Sequence, residues 1–238
     1  MTKRPLVRVT GILAAAAILG ACGTGEGDTA SLAPPTTVAV SVPPVTTTTT
    51  PIPEPEEAEP APTLADYLAE QGIGRTPLAA GTETGPLVEF DLPDGWHIAD
   101  PGLFPQSYSA AVGTRWENDE EPGPVPAAVL TVLRLDRVVD PDEALGLASG
   151  AVLNLPEFEI ALDDPDSEVS GYPSYALSGE YADAEAGYIA IVERTVVMDD
   201  GAATYVIQLR ITAQSRDAEA VTASVQEIDS SLTVTARA

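Results

Sequence analysis

The chain has almost no cysteine and almost no histidine: one of each, Cys22 and His97, in 238 residues. A single thiol excludes a disulfide framework and a cysteine-based zinc site, and a single imidazole excludes histidine-cluster metal sites. Lysine is scarcer than arginine, and cations of both kinds are few: 11 Lys+Arg stand against 37 Asp+Glu, a net charge of −26. Three of those cations, Lys3, Arg4 and Arg8, lie in the first eight residues, before any acidic residue. Without them the chain carries −29. Neutralising phosphates or anionic headgroups takes clustered Lys/Arg, so nucleic-acid binding and docking on an anionic membrane through a basic face are both excluded. Long apolar runs are missing too. The longest, Val9 to Ile18, falls well short of the roughly 20 residues a transmembrane helix needs.

That short run is informative in its setting. It follows the basic residues and leads into Leu19-Gly20-Ala21-Cys22, the pattern of a bacterial lipobox. Small residues before the cysteine let the chain enter a peptidase in extended form, and the thiol takes up the diacylglyceryl group. Residues 1–21 are therefore read as a signal peptide cleaved between Ala21 and Cys22, with Cys22 the lipidated residue. The mature chain is expected at the outer face of the cell membrane.

A spacer follows to Pro62, rich in Thr, Pro, Ala and Glu, with Pro34-Pro35, Pro43-Pro44 and Pro51-Ile52-Pro53-Glu54-Pro55. Such a composition buries too little apolar surface to offset the entropy of ordering it. Residues 22–62 are expected to be a disordered tether reaching on the order of 100 Å when extended. Thr46, Thr47, Thr48, Thr49 and Thr50 resemble the acceptor run of an O-glycosylated stalk.

Residues 63–238 are expected to form one domain. Thr63 reads as an N-cap for a helix bearing Leu64, Tyr67 and Leu68 on one face and ended by Gly72 and Gly74. Leu87 to Leu92 and Ser107 to Trp116 read as strands, and Glu117 to Pro126 as an acidic loop. Ala127 to Leu135 is near-continuously apolar, as a central strand covered on both faces is. Asp140-Pro141 opens a second helix with Asp at the cap and Pro at the first position; its face runs Ala144, Leu145, Ala148, Val152, Leu155, to a stop at Pro156. Phe158 to Leu162 reads as a short strand, Asp163 to Ser167 as an acidic turn, and Tyr172 to Tyr181 as a strand. Gly187 to Asp199 and Ala202 to Ala213 form a hairpin through Asp200-Gly201. A two-residue turn there sets Met198 opposite Ala203 and Arg194 opposite Ile207. The last helix carries Val221, Val225, Ile228 and Leu232 as an apolar stripe. The class is α+β: an antiparallel sheet of five to seven strands with packed helices.

Candidate chemistry is thin. No nucleophile elbow accompanies His97, and no phosphate-binding glycine pattern occurs. The run Asp163-Asp164-Pro165-Asp166-Ser167-Glu168 lacks the spacing and glycine of an EF-hand. No catalytic residue, metal site or cofactor is assigned. Tyr172, Tyr175, Tyr188 and Tyr205, with Arg194 on an otherwise apolar hairpin face, are the candidate lining of a ligand groove. Ordinary strand packing, and a paired or snorkelling Arg194, are the competing readings.

The order of these elements carries a resemblance. A lipobox and Thr/Pro-rich spacer precede Thr63-Leu-Ala-Asp-Tyr-Leu68, Thr76-Pro77, Phe90-Asp-Leu-Pro-Asp-Gly-Trp96, Leu153-Asn-Leu-Pro156, Arg194-Thr-Val-Val197 and Tyr205-Val-Ile-Gln-Leu209. Together they resemble the LpqN/LpqT-type lipoproteins of mycolic-acid actinobacteria. The resemblance implies a PsbP-like fold with a central antiparallel sheet between helices, a non-enzymatic binding or adaptor role in the envelope, and partners such as a lipid transporter or a mycolyl transferase, with a mycolyl glycolipid as ligand. Two further readings stay open: a structural surface protein without a small ligand, and a carboxylate-dependent hydrolase of wall glycan.

Overall fold

The computed structural model describes residues 59–113 and 124–237. The leader, Cys22, the threonine run and most of the acidic loop expected at 117–126 lie outside the described residues. The described part folds around one large antiparallel sheet. Its strands are β1 (Arg75–Pro77), β3 (Trp96–Ile98), β4 (Ser109–Gly113), β5 (Ala127–Leu135), β6 (Glu159–Val169), β7 (Tyr172–Asp183), β8 (Gly187–Asp199) and β9 (Thr204–Gln214). The order is β3-β4-β5-β9-β8-β7-β6, with β1 pairing β5 off that path. A separate ladder joins β2 (Leu87–Glu89) to β10 (Thr233–Thr235). The α+β expectation holds, with more strands than five to seven.

Helices cover both faces. On one lie α1 (Leu64–Glu70), α2 (Pro141–Gly146) and α3 (Gly150–Leu153). Leu64, Leu68, Leu145 and Val152 pack there on Leu135, Leu177, Val197 and Val206. On the other lie α4 (Ala218–Ser231) and the two-stranded ladder. Ile228, Leu232 and Val234 pack on Leu130, Val132, Val196, Ile207 and Leu209. The hairpin β8–β9 supplies residues to both cores, alternating along each strand, so it is the spine of the domain.

Local chemistry accounts for the helix ends. The Thr63 hydroxyl accepts from the Asp66 N–H at 3.1 Å and donates to its carboxylate at 2.6 Å. At the far end Gly72 has φ +61°. The Gly72 N–H reaches the Ala69 carbonyl and the Ile73 N–H the Leu68 carbonyl, the paired bonds of a Schellman stop. The Asp140 carboxylate caps α2 through the Asp142 N–H at 2.9 Å, with Pro141 at the first position.

Four expectations need correction. The single helix from Pro141 to Pro156 is two short ones. Between them the chain tightens into three-residue bonds, and the Leu147 carbonyl takes the Leu64 N–H at 3.1 Å. This interruption docks the start of α1. The acidic turn expected at Asp163–Ser167 is instead the middle of β6, with register shifts beside Ala161 and at Pro165. An edge strand facing water has the composition of a loop. The real reversal is Ser170-Gly171, at φ +55° and +83°, the left-handed pair that a two-residue hairpin turn requires. In the β8–β9 hairpin the loop is four residues long. Asp199 and Asp200 carboxylates accept from the Gly201, Ala202 and Ala203 N–H groups, so Asp199 pairs with Thr204 and Arg194 with Leu209. The shift is by two residues, which keeps every side chain on its expected face. Finally, β5 is closed on the α4 face, where Leu130 and Val132 are fully buried, but only half-closed on the other, at Val129, Thr131 and Leu133.

Gly150 faces the backbone of Pro62 and Thr63 so closely that a Cβ would overlap the Pro62 carbonyl, whereas a Cβ at Gly146 meets nothing. Gly150→Ala is therefore expected to destabilise the domain by about 1–3 kcal/mol, and Gly146→Ala to stabilise it by about 0.5 kcal/mol. Urea unfolding of the two variants checks both signs.

Candidate functional site: a crevice beside the last helix

The α4 stripe does not cover its face of the sheet evenly. Val221 and Ile228 are buried against β8 and β9, while Val225 is half-buried on the flank. Beyond that flank the sheet continues through β7 to β6, and Ser178 and Leu162 lie on this face. A crevice of about 300 Å³ opens there, mostly apolar in lining. Its floor is Ser178, Ala190 and Val192; Leu162 of β6 forms the outer wall, and Thr222, Val225 and Gln226 the helix wall. The volume is that of about ten water molecules and sits at the small end of ligand pockets.

One end of the crevice is polar. Arg194 donates from Nε and Nη2 to the two carboxylate oxygens of Asp229, each at 2.7 Å, and from Nη1 to Ser167 Oγ at 3.2 Å. Ser167 Oγ lies 2.8 Å from Ser174 Oγ. The Arg194 and Asp229 side chains are 16% and 21% exposed. Hydrogen bonding to Asp229 holds the guanidinium above its ordinary pKa, against the opposing effect of burial. Removing one partner of a bidentate, partly buried pair of this kind costs more than losing a surface ion pair.

The sheet does not bring the sequence-predicted groove residues together. Strand alternation puts Tyr172, Tyr188, Arg194 and Tyr205 on the α4 face and Tyr175 on the opposite one. Tyr205 is buried in the core at the far side of α4. Tyr175 donates to Asp163 at 2.6 Å, and Tyr188 to Glu157 at 3.0 Å beyond the open end of the crevice. Arg194 alone of the five stands at the crevice, as a paired side chain. Cys22, Ala21 and Thr46–Thr50 lie outside the described residues. Sequence reasoning missed Leu162, Ser178, Ala190 and Asp229. A usable signal existed for the last: Val221, Val225 and Asp229 form one line at four-residue spacing, matching an apolar hairpin face broken only by Arg194.

A second charged pair lies on the other face. Arg210 donates to Glu193 Oε2 from Nε at 2.8 Å and from Nη2 at 2.5 Å. Glu193 is buried and Arg210 half-exposed. A larger hollow of about 540 Å³ near this pair, lined by Tyr181, Asp183, Glu185, Gln214 and Arg216, is open and mainly polar, and no geometry in it converges on a ligand. Among the described residues no three His, Cys, Asp or Glu side chains gather to hold a metal ion, and no helix is long and apolar enough to cross a membrane.

The domain is a layered α+β fold with an apolar crevice beside its last helix. The family described as "Probable lipoprotein LpqN" matches residues 60–235, and the chain belongs to it. It is 27% identical over 174 residues to the protein named Lipoprotein LpqN of Mycobacterium tuberculosis, covering 73% of this chain and 74% of that one. A crystal structure described as LpqN involved in cell envelope biogenesis of Mycobacterium tuberculosis superposes with a TM-score of 0.64 at 26% identity, over 74% of this chain and 99% of that one.

Burial raises the Glu193 carboxyl above the ordinary carboxylate range, with Arg210 opposing the shift. The folded chain thus keeps this proton at pH values where the unfolded chain has released it. Stability from this group grows as the pH falls through the folded pKa, and the gain is complete below the unfolded value of about 4.3. Carboxylates held down by backbone N–H groups, such as Asp183 and Asp200, act in the opposite direction. They are common to wild type and Glu193→Gln. The stability difference between the two is expected to move in favour of wild type between about pH 7 and pH 4, as read from urea melts.

Proposed function

We propose that this chain is a non-catalytic binding module of the cell envelope, anchored through Cys22 to the outer face of the cell membrane, whose crevice beside α4 takes an acyl chain of an envelope lipid. The observation that carries the reading is the crevice itself: an open, apolar slot walled by Leu162 and Val225 and closed at one end by a satisfied ion pair. Each methylene buried there contributes about 0.8 kcal/mol. No acid–base role is assigned to the carboxylate at its border, because Asp229 is bound at both oxygens by Arg194. The role given in the description of the Mycobacterium tuberculosis structure, cell envelope biogenesis, supports the setting. A lipid transporter or a mycolyl transferase is the kind of partner such a module serves, with the spacer setting its reach and Thr46–Thr50 as a glycosylated stalk.

The chain without its leader and with Cys22 replaced by Ser, incubated with envelope lipid extract and repurified, is expected to show one retained lipid per chain by native mass spectrometry. Ala190→Trp, which fills the floor, is expected to retain none. A clean unliganded mass for the parent protein overturns the carrier reading. In cells, Cys22→Ala is expected to move the protein from the membrane fraction to the soluble one, and continued membrane retention overturns the anchor.

A further inference from the structure

Strand β6 ends the sheet, and among the described residues no strand pairs with its outer edge. Such an edge is usually defended by charge, proline and bulges, and β6 has all three. It also has what a merely defended edge lacks. Ile160 and Leu162 show 53% and 49% of their surface to solvent. The pairing of Ile160 with Gly179 and of Leu162 with Ser178 puts the two aliphatics on opposite sides of the edge, so together they straddle it. Around them the charge is of one sign. Between Arg137 and Arg194 the sequence has 13 carboxylates and no Lys, Arg or His. Arg194, the cation that reaches β6, is already engaged by Asp229 and Ser167.

We propose that the edge from Glu159 to Asp164 is the docking surface for an extended cationic segment of a partner protein, one that places aliphatic residues between its Lys or Arg side chains. A second copy of this chain does not fit, because it would set the same carboxylates against each other. The chain's own spacer does not fit either: no Lys or Arg lies between Arg8 and Arg75. The register shifts beside Ala161 and at Pro165 limit main-chain pairing to a short stretch. Affinity therefore comes from aliphatic contacts at Ile160 and Leu162, and the acidic surroundings supply selection and steering.

The test uses the leaderless chain with Cys22→Ser and three short labelled peptides of equal length: alternating Lys-Val, alternating Lys-Ser and alternating Glu-Val. At about 0.15 M salt, where long-range attraction is largely screened, Lys-Val is expected to bind one-to-one and about tenfold or more tighter than Lys-Ser. Glu-Val is expected not to bind. The double variant Ile160→Ser, Leu162→Ser should bring Lys-Val down to the affinity of Lys-Ser while the melting temperature stays put, both side chains being exposed. Ile160→Ser alone, on the face away from the crevice, should weaken Lys-Val and leave lipid retention intact. The proposal is overturned if the two lysine peptides bind alike, if the double variant binds Lys-Val as before, or if Lys-Val acts only by precipitating the chain.

Discussion

The position of α4 depends on the pair between Arg194 and Asp229. A helix whose apolar stripe is Val221, Val225, Ile228 and Leu232 can slide or roll on a sheet of aliphatic side chains, because apolar contact is not directional. A bidentate bond from Arg194 on β8 to Asp229 on α4 removes that freedom. It holds Ile228 over the sheet and leaves Val225 on the flank, where it walls the crevice opposite Leu162 of β6. The same guanidinium reaches Ser167 in β6, tying the edge strand to the helix across β7. Removing either charge would strand the other in a setting under a quarter exposed, a situation that costs several times more than the loss of a surface pair.

A shortage of cations shapes the rest of the polar chemistry. With so few arginines, most carboxylates have no charged partner, and several take a phenol instead. Tyr67 donates to Glu143, Tyr175 to Asp163 and Tyr188 to Glu157, and Tyr205 lies near the Asp200 carboxylate. Tyr67, Tyr175, Tyr188 and Tyr205 are held above the ordinary phenol pKa. The carboxylate bond is the largest cause for Tyr67 and Tyr188, and burial is the largest for Tyr175 and Tyr205. Each pair joins different elements or pins a loop to a strand. Tyr175 and Tyr188, which look from sequence like part of a ligand surface, thus serve as hydrogen-bond donors to acids in a chain that has few cations to offer them.

Much of the fold was legible, and the failures share a cause. The cap at Thr63, the Asp140-Pro141 helix start and the Asp200-Gly201 reversal are set by neighbours in sequence, and all three occur. What could not be read locally depends on distant partners. The helix after Pro141 breaks because Leu64, far away in the chain, takes the Leu147 carbonyl. The three-residue strands β1, β3 and β10 exist only through their pairing. The acidic run in β6 has the composition of a turn because an edge strand is solvated like one. The site was half-visible: Arg194 stood out as the one charge on an apolar face, but its answer lay on α4, at the position in line with Val221 and Val225. Alternation along β7 alone separates Tyr172 from Tyr175 and Tyr181, and so divides the tyrosine set between the two faces of the sheet.

The two halves of the sheet consequently serve different ends. Around β9 and the inner part of β8 both faces are packed, and β5 is fully packed on its α4 face, as a stable scaffold requires. Toward β7 and β6 the cover thins, small side chains floor the crevice and aliphatics reach solvent. That asymmetry follows from the stripe on α4, which is only one helix-face wide. The carboxylates proposed to attract a cationic segment at this edge would also oppose its pairing with the same edge of a second copy. The negative charge that excludes nucleic acid and anionic lipid surfaces is the same charge that makes an open apolar edge tolerable.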